Sequence, residues 1–266
     1  MPPGSNSNAR VRIVIAFMFL FVSLIVFSVG AYFVPTLSKL QEGVVAREGQ
    51  TALQGVTDPK QIDEALKRRP SNRFLQLAAM ATKAASDTRA ATEKLGNEIE
   101  PPALSSINLG TAGRNELEAL RSALETAETN ATTFLPRYVG LFKTERDKIE
   151  NYARSLRFEK DTIGSFMEAI DRRHSQSLAF TARMLSGRAD YYRAYEKYVA
   201  VLAGEFGTYK VENGQFIFPF QRAVDRYNLA AQAMSAAAKH LAELDEEGKT
   251  LSQSQQEGWE QFVTGN

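Results

Sequence analysis

Arg188, Tyr191, Tyr192 and Tyr195 are the side chains whose types and spacing best suit holding a ligand. They follow one another at helical intervals, with Tyr198 and Phe206 a little further on. A guanidinium beside several phenols could hold a small anionic or aromatic molecule. The plainer reading of the tyrosines is core packing with polar tips reaching water. Arg188 keeps three readings open. It snorkels, it pairs with an acid across a helix interface, or it holds an anionic ligand.

Little else in the chain could do chemistry. There are two histidines, His174 and His240, and no cysteine. That excludes disulfides, zinc–thiolate sites, iron–sulfur clusters, a lipidated N-terminal Cys and a cysteine nucleophile. His174 falls on an apolar stripe and reads as a core residue. No Glu-x-x-His, G-x-S-x-G or phosphate-cradling glycine loop occurs. No catalytic, cofactor-binding or metal-ligating residue is assigned, no cofactor is expected, and the chain reads as a non-enzyme. Thirty-two Lys and Arg against 31 Asp and Glu leave no basic excess for nucleic acid. Asn130-Ala131-Thr132 matches a glycosylation sequon, to which no meaning is attached.

The element that positions everything else is Ile13–Val34, which contains no charged residue. As a helix it would span about 33 Å, enough for a hydrocarbon core of about 30 Å. Pro35 ends it. Arg10, Arg12 and the amino terminus precede it without an acid; Lys39 and Arg47 follow with Glu42 and Glu48 among them. The positive-inside bias expects a cytoplasmic N-terminus and an exported remainder. A cleaved signal peptide is the competing reading, since Ser28-Val29-Gly30 offers small residues before Ala31.

The rest is helix-patterned. We expect a cytoplasmic tail over 1–12, a transmembrane helix over 13–34 and membrane-proximal helices over 35–100. A loop or linker over 101–114 and a helical bundle domain over 115–266 follow. Thr57-Asp58-Pro59 should start a short helix ending before Pro70, and Ser71 should cap the next, to about Leu95. From Asn115, apolar residues step by three or four beyond Tyr152, with Pro136 predicting a break or kink near 130–135. Asp161-Thr162 opens a helix of some forty residues. Within Thr208–Phe218, Asn213-Gly214 predicts a two-residue hairpin whose Tyr209, Phe216 and Phe218 must lean on the bundle. Pro219 opens a helix to about Leu244. Asp245–Gly248 should end it, with a last helix near Ser252–Phe262.

One segment, with Asn213, Gly214, Phe218, Pro219, Gln221, Tyr227 and Asn228, resembles the C-terminal part of a family of enterobacterial helical envelope lipoproteins of unknown function. The resemblance covers about residues 205–240. It implies an envelope location and a helical domain, and no activity. Those proteins are held by a lipidated Cys, which this chain lacks; Ile13–Val34 would take its place.

The fold expected is therefore all-α: an N-terminal transmembrane helix and an elongated helical bundle with one small hairpin near 208–218. The function expected is a single-pass, inner-membrane-anchored periplasmic protein that binds or scaffolds other envelope proteins, or itself. The alternative is an extracytoplasmic ligand-sensing bundle that signals through a partner.

Overall fold

The computed structural model describes residues 60–99 and 107–264. The apolar run Ile13–Val34 and the expected helix start at Thr57–Pro59 lie outside the described residues, as do residues 101–106 of the expected loop. Among the described residues, no helix is long and apolar enough to cross a membrane.

What is described is helical, apart from one hairpin. In order the elements are α1 (Lys60–Arg68), α2 (Arg73–Ile99), α3 (Arg114–Ser155), α4 (Lys160–Gly204), β1 (Lys210–Glu212), β2 (Gln215–Ile217) and α5 (Gln221–Thr264). These sort into two compact units, each discontinuous in sequence. Over the described residues, the first unit takes 95–99, 107–135 and 181–246, and the second takes 60–94, 136–180 and 247–264. α2, α3, α4 and α5 thus contribute residues to both.

The second unit is built on a packed apolar core. Ile62 of α1 and Phe74, Leu75, Ala78 and Ala81 of α2 meet Ile149 and Ala153 of α3 and Ile163, Phe166, Met167 and Ile170 of α4. Burying each large side chain contributes about 1.5–3 kcal/mol. α1 stops because Pro70 disfavours helical geometry at Arg69, and the Arg69 amide closes the turn onto the Ala65 and Leu66 carbonyls. α2 is capped by Asn72, not Ser71: the Leu75 amide donates to Asn72 Oδ1 at 3.0 Å. An Asx oxygen three residues before an orphan amide is a strong cap. Between α3 and α4 the chain turns through Arg157, whose φ of 57° is left-handed.

The first unit is organised around α4. Leu117, Leu120, Leu124, Ala127, Ala131 and Phe134 of α3 form its apolar stripe. α3 begins with a capping box in which Glu116 accepts the Gly113 amide at 2.7 Å. On α4, Met184, Leu185, Tyr192, Val199 and Leu202 are buried. On α5, Ala223, Leu241 and Leu244 are buried.

The hairpin forms as its dipeptide predicts. Glu212 pairs with Gln215 around a turn in which Asn213 (φ 52°) and Gly214 (φ 75°) are both left-handed. Tyr209 stacks on Phe216 and Phe218, with centroids at 5.2 and 5.5 Å, and both phenylalanines contact Tyr227 of α5 at 5.7 and 5.1 Å. These contacts supply what two three-residue strands lack alone.

The break expected near 130–135 and the helix end expected at Asp245–Gly248 are both absent. α3 runs unbroken through Pro136, and α5 runs unbroken through Asp245–Gly248. Pro136 is exposed, so the carbonyl it leaves without a donor can reach water. Ahead of it, Thr129, Thr132 and Thr133 each fold a hydroxyl back onto a carbonyl of the preceding turn. In α5, a single glycine costs only about 1 kcal/mol against alanine, and acidic residues do not stop a helix.

Candidate functional site

Arg188, Tyr191, Tyr192 and Tyr195 all lie in the core of the first unit, Tyr192 completely buried. Tyr191 sits 5.9 Å, ring to ring, from both Tyr192 and Tyr195. Tyr198 meets Tyr227 at 5.3 Å, and their hydroxyls are 3.0 Å apart. Burial pushes the phenols of Tyr191 and Tyr198 upward, and that of Tyr195 up to about 12. All three therefore stay neutral near neutral pH, as hydrogen-bonding groups and not as phenolate bases or nucleophiles. The spacing that marked these residues is thus the spacing of a packed helix face.

A cleft of about 330 Å³ lies elsewhere, in the second unit. Ile163, Gly164 and Met167 of α4 form its apolar floor; Arg146, Glu150 and Arg154 of α3 and Lys160, Glu168 and Asp171 of α4 form its rim. None of the tyrosines lines it. Sequence reasoning passed over these residues because charges at helical spacing read as solvated surface. The available signal was the four-residue step of Arg146, Glu150 and Arg154 along α3, which marks their mutual pairing but not the partner on α4.

Ion pairs engage most of the rim. Arg146 grips Asp171 with two parallel bonds, Nε to Oδ1 at 2.6 Å and Nη2 to Oδ2 at 3.1 Å. Its third nitrogen donates to Glu150 at 2.6 Å, and Glu150 accepts from Arg154 at 2.5 Å. The bonds from Arg154 and then Arg146 hold the Glu150 carboxyl below its usual range, and the bond to Asp171 raises Arg146. Glu168 is occupied by Arg172 at 3.3 Å. The arrangement can cross-link α3 to α4; its carboxylates are already neutralised.

His174 and Glu145 meet in the core of the second unit, 3.9 Å apart and both buried. The edge of Phe142 packs on His174 at 4.6 Å between centroids. Both residues lay on the apolar stripes read from sequence; their pairing did not. Among the described residues, no cluster of three or more His, Asp or Glu could hold a metal ion. Next to His174 on α4, Arg172 is exposed and Arg173 is half-buried. The Asn130 side-chain amide donates to the Glu98 carbonyl at 3.0 Å, so the sequon nitrogen is engaged in a solvent-exposed bond between α3 and α2.

The chain matches no family model, no curated protein and no solved structure.

Proposed function

We propose that this chain is a single-pass, membrane-anchored protein that holds a helical bundle on the periplasmic side of a bacterial inner membrane. There it serves as a binding or scaffolding component of the envelope. The observation that carries this reading is the uncharged run Ile13–Val34, long enough to cross a bilayer and preceded by Arg10 and Arg12.

The bundle is consistent with a binding role. The polar groups read as ligand-holding lie in a packed core, and the carboxylates on the rim of the described cleft are taken up in ion pairs. Such side chains maintain shape and leave recognition to the outer faces of the helices and the hairpin.

Protease added to spheroplasts tests the topology. The expected outcome is digestion of the bundle with the first dozen residues protected. A bundle that survives until the membrane is permeabilised would sink the reading.

A further inference from the structure

The β1 strand presents an outward edge with a charge pattern of its own. In a hairpin closed by a two-residue turn, the closing pair exchanges both backbone bonds and the pairs then alternate. Glu212 and Gln215 close this turn, and Lys210 and Ile217 form the next bonded pair. Val211 and Phe216 between them therefore aim their N–H and C=O groups away from each other, out of the sheet. Among the described residues, no backbone hydrogen bond from another element reaches Val211.

Lys210 and Glu212 flank Val211 on the opposite face of the strand, and both are exposed. An edge carrying one sign of charge repels a second copy of itself. This edge does the reverse in one register. An antiparallel two-fold axis through Val211 sets Lys210 of each copy opposite Glu212 of the other. Moving the axis to Lys210 or Glu212 would set like charges face to face. Ile217, 47% exposed beside Lys210, and Phe220, 65% exposed just beyond, supply apolar surface near the edge.

We propose that β1 is a self-association edge: two copies of this chain pair β1 with β1, antiparallel about Val211, into a four-stranded sheet. The contact is far smaller than the ~1,200 Å² of a stable complex, so it is weak in dilute solution. It needs copies held close together, which a shared membrane supplies. That last point alone rests on the proposed anchor; the register does not.

The absence of cysteine makes the test clean. Val211→Cys gives each chain one thiol, and bonded antiparallel partners sit with Cα atoms about 5.5 Å apart, within disulfide reach. The full chain, in membranes or in detergent, is treated with a mild oxidant. V211C should give disulfide-linked dimer, and Gln215→Cys on the other strand several-fold less. Adding Lys210→Glu to V211C should cut the yield several-fold, and adding Glu212→Lys to that pair should restore it. Equal yields at positions 211 and 215, or a yield that K210E leaves unchanged, would overturn the proposal. That includes the case in which the edge is taken by a strand of a different protein. Failure here alongside the expected spheroplast digestion removes the edge and leaves the anchor standing.

Discussion

Gly187 of α4 lies so close to Leu244 of α5 that a Cβ built on it would stand 2.9 Å from Leu244 Cδ1. A glycine inside a helix costs about 1 kcal/mol against alanine, so this one is retained for the close approach of the two helices. Gly187→Ala gains that propensity while pushing a buried methyl, and should stay within about 1 kcal/mol of the parent. Gly187→Val has no such offset and should cost about 1–3 kcal/mol in urea unfolding. A neutral valine would show that α5 does not pack as closely as described.

Ile62 is fully buried although α1 has only nine residues. A helix that short holds by its contacts and not by its own propensity. Ile62→Ala should remove about 2–5 kcal/mol of stability. A loss below about 1 kcal/mol would mean that α1 is not part of the core of the second unit.

Arg157 occupies the left-handed region at the end of α3, and Arg73 of α2 donates to the carbonyls of Leu156 and Arg157, each at 3.2 Å. The backbone there suits glycine. Arg157→Gly should stabilise by up to about 1 kcal/mol, since the Arg73 bonds go to main-chain oxygens that remain. Arg73→Ala should cost about 1–2 kcal/mol, losing those bonds and the guanidinium's seat over Phe158, 5.4 Å from the ring centre. Chemical denaturation of the two single variants separates these effects.

The buried phenols predict alkaline sensitivity. In the folded chain Tyr195 titrates at about 12 and Tyr191 and Tyr198 are also raised, so the folded state binds these protons more tightly than the unfolded one. Their contribution is complete below the ordinary tyrosine value of about 10 and is lost as pH climbs from there through the folded values. Glu150 runs the other way: its lowered value contributes above the ordinary carboxyl range and fades as pH falls. Thermal unfolding followed from pH 8 to 12 should show a falling midpoint above about pH 10, shallower in Tyr195→Phe. A flat profile would place these tyrosines in contact with water.

Elements with a local cause were legible in the sequence. Asn213-Gly214 dictates its turn through two residues that accept positive φ. The apolar steps of α3 and α4 mark their buried faces, because period and packing share a cause. What failed had a tertiary cause. Pro136 read as a break or kink, and Asp245–Gly248 as a helix end, because each weakens a helix locally, yet both helices continue past them. At Arg188 and the tyrosines the helical spacing marked the buried face of α4, but spacing alone does not separate side chains that pack from side chains that hold a ligand. The Arg146–Asp171 fork joins residues 25 apart, and no local pattern announces such a pair.

The two-residue turn also limits how this part of the chain can change length over descent. Successive strand residues face opposite ways, so one extra residue at 213–214 must be absorbed in a bulged three-residue loop, or it shifts the pairing and reverses the faces of one strand. If β2 reversed, Phe216 would leave Tyr209 and Tyr227 for solvent, and Gln215 and Ile217 would turn inward. Most surface loops absorb insertions at little cost. Here the hairpin should admit changes of residue more readily than changes of length, since each added residue needs a bulge to keep Phe216 against Tyr209 and Tyr227.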